Sequence, residues 1–296
     1  MNGILLKIIA GFCYVEAGNK IYECKPRGNM RKNGMGIFAG DNVEFSELSE
    51  DKGVIEKVLP RKNSLIRPPL ANIDRLFIIS SHNTPAPNAT LIDRLAAIAE
   101  SKDIEPIIVF NKADLGDFTE WKNIYEKSGF KTFVVSANDN ASLNDLKEYL
   151  FNSNGISAFT GNSGVGKSSI LNAIFPQLKL QTGAVSEKLG RGKHTTRHVE
   201  LYKIANNSYI ADTPGFSSLD IQKFEILLKD ELPNFFSDFR EFVNECKFTS
   251  CSHTKEKGCA VIEAVNNGEI QPSRYNSYIT IYNEIKDIKE WELKKK

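Results

Sequence analysis

The sequence predicts an α/β domain built on a mostly parallel sheet, with a small β-barrel before it and a helical, metal-binding region after it. Three observations carry this. The first sixty residues hold five strand-like runs with no helical pattern between them. From residue 73, strand-like and helix-like runs alternate. Three of the five cysteines, and one of the four histidines, fall between positions 246 and 259. A chain of 296 residues is long enough for two or three cores. The boundaries are expected at 1–68, 69–218 and 219–296.

Composition excludes little by itself. Lys and Arg number 38 against 37 Asp and Glu, a formal net charge of +1. The first seventy residues are mildly basic, with 11 basic and 8 acidic side chains. No apolar run approaches the roughly 20 residues that cross a bilayer. The start shows no charged, apolar and small-residue sequence of a secretory signal. A cytoplasmic protein with no membrane partner is expected. In such a reducing compartment, clustered cysteines point to metal rather than to disulfides. Cys13 and Cys24 stand apart and read as small buried apolar residues.

In the first part, strands are expected at Ile4–Ile9, Phe12–Val15, Lys20–Cys24, Asn42–Phe45 and Gly53–Val58. Five strands in this space suit a barrel of the oligonucleotide-binding (OB) type. The segment 25–32 carries Lys25, Arg27, Arg31 and Lys32. It is either a solvated loop or a contact to a phosphate backbone. Residues 61–69, ending in Pro68-Pro69, read as a linker.

The central part begins with a buried strand at Leu76–Ile79. An amphipathic helix follows at Leu91–Ala99, then strands at Pro106–Phe110 and Thr132–Val135. Such alternation places helices on both faces of a parallel sheet and the chemistry in the loops at strand ends. A fourth strand, Ile156–Phe159, leads into Gly161-Asn162-Ser163-Gly164-Val165-Gly166-Lys167-Ser168, and a helix from Ser169 to Phe175 follows. This fits the phosphate-cradling pattern of Gly, four residues, then Gly-Lys-Ser. The glycines let backbone N–H groups converge on one phosphate. The helix N-terminus adds positive potential. Lys167 can reach the β- and γ-phosphates, and the Ser168 hydroxyl can ligate Mg²⁺.

Two loops speak to the base. Asn111-Lys112-Ala113-Asp114 follows a strand directly. The Asp114 carboxylate can accept from guanine N1–H and N2–H₂, donors that adenine lacks. Ser136-Ala137-Asn138 can offer a backbone N–H to guanine O6. Further on, Gly190-Arg191-Gly192-Lys193-His194-Thr195-Thr196-Arg197-His198 is glycine-rich, basic and predicted mobile. A hairpin through Asn206-Asn207 then delivers Asp212-Thr213-Pro214-Gly215. There Asp212 can hold Mg²⁺ through water, and the Gly215 N–H can meet the γ-phosphate.

In the last part, Cys246, Cys251, His253 and Cys259 offer three thiolates and an imidazole, a set that satisfies tetrahedral Zn²⁺ at a closed structural site. One Zn²⁺ per chain is expected. Short helices are expected around Phe235–Val243 and Val261–Val265. A final helix over 274–293 puts Tyr278, Ile281, Ile285 and Ile288 on one core-facing stripe.

These motifs resemble the P-loop GTPase family in a changed order, because Asn111–Asp114 precedes the phosphate loop instead of following it. The central domain therefore resembles a circularly permuted GTPase. With the OB-type barrel before it and an α-helical zinc-finger domain after it, nearly the whole chain resembles the ribosome small-subunit-dependent GTPase A family, RsgA, also called YjeQ. The resemblance implies hydrolysis of GTP to GDP during late maturation of the small (30S) ribosomal subunit. It implies stimulation by that subunit, nucleotide-dependent release, contact with 16S rRNA and a monomeric state. Ser169 and Ala137 join the nucleotide-binding set on the same ground.

Ras-like GTPases place a water-orienting Gln directly after Asp-x-x-Gly, where this chain has Phe216. The family assigns the catalytic role to the position of His194, whose other reading is an RNA-facing surface histidine. Either Thr195 or Thr196 is the switch ligand of Mg²⁺, and related switches favour Thr196 because it directly precedes Arg. Two other readings stand beside the GTPase. A P-loop ATPase or kinase would prefer ATP, against which Asp114 speaks. An RNA-binding scaffold with a merely structural nucleotide would not turn over.

Overall fold

The computed structural model describes residues 1–28, 36–82, 85–180, 199–212, 221 and 225–289, with the Asp212 side chain left out. The five N-terminal strands are β1 (Asn2–Ile9), β2 (Phe12–Ala17), β3 (Lys20–Pro26), β4 (Asn42–Ser49) and β5 (Lys52–Val58). They follow the order β1-β2-β3-β5-β4, and β4 pairs back onto β1, so the ring closes. Only the β3–β5 pair is parallel. Alternation along these strands turns Leu5, Val15, Tyr22, Val43, Phe45 and Ile55 inward, with both Cys13 and Cys24 among them. The two cysteines are buried core residues, as their isolation in the sequence suggested.

Residues 61–69 are more than a linker. Ser64–Leu65 (β6) pairs antiparallel with Leu70–Ala71 (β7), and Leu65 and Leu70 are buried. The prolines occupy the turn between them, where no ladder N–H is needed. Asn63 and Asn72 tie the ends with side-chain bonds to Ile73 and Gly40.

The central sheet contains β8 (Ile73–Ser81), β9 (Glu105–Asn111), β10 (Lys131–Val134), β11 (Gly155–Thr160), β12 (Glu200–Ala205) and β13 (Ser208–Asp212). Its order is β10-β9-β8-β11-β13-β12, and every pair is parallel except the β12–β13 hairpin. Asn207 turns that hairpin with φ 58°. Helices α1 (Ala89–Glu100) and α2 (Thr119–Lys127) share an apolar core on one face; α3 (Asn144–Asn152) and α4 (Lys167–Ile174) cover the other. Asn88 caps α1 by accepting from the Leu91 N–H at 3.0 Å. Because the strands are parallel, their carboxyl ends share one edge of the sheet, where sites form in open α/β folds.

Barrel and central sheet are continuous. β1 bridges β12 at Lys7 and Glu200, whose side chains pair at 2.6 Å. Glu16 of the barrel takes Lys203 at 2.9 Å and the Tyr209 hydroxyl at 2.7 Å.

The C-terminal region differs from expectation in two elements: the last helix ends at Ile285 instead of running to 293, and one expected helix does not form. Residues 235–243 form no α-helix; Leu232–Phe235 and Ser237–Phe239 are short 3₁₀ turns. Phe236 and Phe239 are buried in the core, with Phe235 and Phe242 packed against it, so packing of these rings, rather than helix periodicity, decides the backbone here. Helices α5 (Ala260–Asn266) and α6 (Pro272–Ile285) are present. Tyr278, Ile281 and Ile285 are buried and Ile288 packs beside them, in the same core as α1. Among the described residues, no helix is long and apolar enough to cross a membrane.

Candidate functional site

The carboxyl edge of the parallel strands collects the motif loops that follow β9, β10 and β11, and the end of β13. After β11, the chain turns through Gly161 (φ 144°), Gly164 (φ 82°) and Gly166 (φ 94°). Two of these glycines are also needed for space. A Cβ on Gly161 would lie 2.2 Å from the Ile79 carbonyl of β8, and one on Gly166 would lie 2.2 Å from Asn111 Nδ2. Ser168 and Ser169 stand in the first turn of α4, behind the loop. The Lys167 ammonium bridges the loop, donating to the carbonyls of Gly161 at 2.8 Å and Asn162 at 2.9 Å. Burial lowers its pKa to about 8, so a phosphate at the loop would favour the protonated form.

Asn111 joins this loop to the others. Its Nδ2 donates to the Val165 carbonyl at 2.8 Å, and its Oδ1 accepts from the Ala137 N–H at 3.2 Å. One buried amide therefore sets the spacing between the loops after β9, β10 and β11. Lys112 follows with φ 64°. That left-handed turn reverses the chain and brings Asp114 back toward Ser136.

Asp114 is exposed at the surface of the groove. Its Oδ1 accepts from the Ser136 hydroxyl at 2.5 Å, the first cause of its lowered pKa. The carboxylate is thus ionised and oriented at neutral pH, with its second oxygen meeting Asn138 Nδ2 only at 3.5 Å. The Ser136 N–H is taken by Ser142 Oγ at 2.9 Å. Ser142 is a residue that sequence reasoning missed, six positions on in an irregular loop with no motif to mark it. Of the three N–H groups in 136–138, those of Ala137 and Asn138 make the longer bonds, at 3.2 Å each.

Asp212 ends β13 beside β11, so its backbone lies on the same edge. Gly215, Phe216, His194, Thr195 and Thr196 lie outside the described residues, as do Arg31 and Lys32. Of the other two basic candidates, Arg27 pairs with Glu56, and the Lys25 ammonium sits 5.0 Å from the Phe12 ring centroid.

Matches to known proteins agree with this arrangement. Residues 58–222 match the RsgA GTPase family, and residues 2–55 match the RsgA N-terminal domain. The chain belongs to the RsgA GTPase family. A relative in Alkaliphilus metalliredigens, named a small ribosomal subunit biogenesis GTPase, is 44% identical over 290 residues, covering 96% of this chain and 98% of that one. The crystal structure of YjeQ from Thermotoga maritima is 34% identical, with a TM-score of 0.81, and covers 97% of this chain and 99% of that one. The structure of YloQ, described as a circularly permuted GTPase, is 35% identical with a TM-score of 0.79, over 97% of this chain and 96% of that one. The family and these neighbours make this chain a circularly permuted GTPase, with the OB-type barrel and the Cys/His region in place.

A second cluster lies in the C-terminal region. Cys246, Cys251, His253 and Cys259 bring four ligand atoms within 4.8 Å of one another. His253 Nδ1 is 3.4 Å from the sulfurs of Cys246 and Cys259, which are 3.8 Å apart. Bonds of about 2.3 Å to sulfur and 2.0–2.1 Å to nitrogen place tetrahedral ligands about 3.8 Å and 3.5 Å apart. The donor set and its spacing fit Zn²⁺. Burial pushes the Cys251 thiol up to about 12; a divalent cation at the centre reverses that preference. The loops are held from outside. Tyr275 and Tyr278 donate to the carbonyls of His253 and Ser252, and the Glu256 carboxylate caps the N–H groups of Ser252, Thr254 and Lys255.

Proposed function

We propose that this GTPase acts in late maturation of the small (30S) ribosomal subunit, that contact with the subunit and its 16S rRNA stimulates hydrolysis, and that the protein leaves after the nucleotide changes. The observation that supports the nucleotide part is the Asn111 strut, which holds the guanine-side and phosphate-side loops at one spacing. The relatives' names support the ribosomal part. A cytoplasmic monomer with no membrane partner is the state that fits this role.

In the proposed site, the backbone of 161–166 and Ser169 surround the phosphates, while Lys167 contacts the β- and γ-phosphates. Asn111, Lys112, Asp114, Ser136 and Ala137 read the base. Ser168, Thr196 and Asp212 would hold Mg²⁺, which supplies charge against the β- and γ-oxygens. The Gly215 N–H meets the γ-phosphate. Lys25, Arg27, Arg31 and Lys32 are the proposed phosphate contacts of the barrel. Co-sedimentation with small subunits in GDP and in a non-hydrolysable GTP analogue tests the reading; equal binding in both, or none, would overturn nucleotide-dependent release. ATP preferred over GTP would favour the ATPase reading instead.

For hydrolysis, Phe216 stands where a water-orienting group is expected, so we assign that role to His194. His194→Ala should bind GTP and subunits normally but lose subunit-stimulated turnover by about 10²-fold. Lys167→Ala should lose nucleotide affinity as well. Full stimulation in His194→Ala would remove the imidazole from the mechanism.

The Cys/His cluster is proposed to hold one Zn²⁺ with a structural role, because all four donors are protein side chains. Metal analysis should find about one zinc per chain. Chelation should loosen the C-terminal region, read as faster amide exchange around 246–259. A metal-free protein with unchanged protection there would contradict it.

A further inference from the structure

The loop between the first two cysteines of the cluster presents an aromatic ring outward. Phe248 is 50% exposed, while Phe236, Phe239 and Tyr278 of the same region are buried in the core and Phe235, Phe242, Tyr275 and Tyr282 are half-buried against it. Phe151 is also exposed, but its ring packs on Phe175 at 5.4 Å between centroids. The Phe248 ring instead carries the Lys247 ammonium, 5.7 Å from its centroid. Half of this ring's surface stays in water, which leaves a flat apolar surface open to another contact.

The backbone that carries the ring is tied down. Its chain neighbours Cys246 and Cys251 belong to the cluster, and the Cys251 N–H donates to the Phe248 carbonyl at 3.2 Å. The Lys247 N–H donates to the Gly258 carbonyl at 3.0 Å, which sets the second loop beside the first. Gly258 has φ 79°, and a Cβ there would come within 3.2 Å of the Lys247 side chain. The close approach brings Lys257 next to Lys247, with Lys255 also exposed on the second loop. The acid between those two lysines, Glu256, is occupied by its N–H caps. A rigid flat apolar face bordered by lysines is complementary to an unpaired base on an anionic backbone.

We propose that Phe248 is a stacking platform for an unpaired RNA base, with Lys247 and Lys257 contacting the flanking phosphates. The proposal rests on the ribosomal partner proposed above and names a place where that partner is held. Stacking tolerates any base, so the platform adds affinity and orientation without requiring a sequence.

The test uses the full-length, zinc-loaded protein with a non-hydrolysable GTP analogue and purified small subunits. Phe248→Ala should raise the dissociation constant about tenfold, whereas Phe248→Trp should bind as the natural protein does or more tightly. Zinc content and unstimulated GTPase rate should stay unchanged in both. Short-wave ultraviolet irradiation of the natural complex should cross-link the peptide containing Phe248 to rRNA. Normal binding by Phe248→Ala would overturn the platform and leave the ribosomal role standing. A cross-link from this peptide to a ribosomal protein would overturn the RNA assignment. No binding by the natural protein would remove the ribosomal role itself, and the platform with it.

Discussion

Asp114→Asn should turn a site that selects GTP into one that prefers xanthosine triphosphate. The Asp114 carboxylate is ionised and aimed by Ser136, so it offers acceptors to the N1–H and N2–H₂ of guanine. An amide presents a donor in the same place, and donor then faces donor. GTP should weaken by at least about thirtyfold, roughly 2 kcal/mol, and xanthosine triphosphate, with an acceptor at position 2, should gain by a comparable factor. Together these change the selectivity ratio by on the order of 10³, the scale on which unmatched polar groups discriminate between ligands. Competition between the two nucleotides against one fluorescent analogue measures the ratio directly. An unchanged preference for GTP would mean that this loop does not read the base.

Arg274→Met should cost about 3–5 kcal/mol of stability, because it removes one partner from a buried ionic cluster. Arg274, on α6, is 1% exposed. It donates to Asp93 of α1 at 2.6 Å and to Asp238 at 2.8 Å, and it lies between the rings of Phe130 and Phe236. Burial alone would lower its pKa, but the two carboxylates hold it above the usual value. Burial also raises Asp93 against the pull of Arg274. Without the guanidinium, both acids would lose their cationic partner, and the pKa of buried Asp93 would rise further in the folded state. A buried acid with a raised pKa opposes folding more as pH rises above the usual carboxylate range, so the deficit should be larger at pH 7 than at pH 4. Neutralising both acids together, as Asp93→Asn and Asp238→Asn, should restore much of the loss in the Arg274→Met background. Urea unfolding at the two pH values checks this, and a loss below about 1 kcal/mol would show that the cluster does not secure α6 to α1.

That cluster also bears on how the C-terminal region stands. The structure shows Tyr278, Ile281 and Phe239 in one core with α1 and α2. The segment after the Asp212 loop is pinned there too. Glu225 is buried, pairs with Lys102 at 2.8 Å and accepts from the Ile66 N–H at 2.8 Å. It thereby ties the β6–β7 turn and the end of α1 to a point shortly beyond the switch.

What the sequence determined by itself was the chemistry of short contiguous stretches. The phosphate loop, the 111–114 loop and the cysteine cluster each keep their function within a few neighbouring positions. Their residue types and spacing therefore carry the signal without any partner. The five barrel strands were legible for the same reason, through alternation and turn residues. Tertiary structure alone decided how these pieces meet. Asn111 reaches Val165 across 54 positions, Arg274 reaches Asp93 across 181, and Lys7 reaches Glu200 across 193. Asn111 and Val165 each lie in a legible motif, but no motif says that the two touch, and Arg274, Asp93, Lys7 and Glu200 look like ordinary polar side chains until the chain closes around them. For Asn111 and Arg274, burial then makes the pairing obligatory: a polar group removed from water must find its partner wherever the fold has brought one.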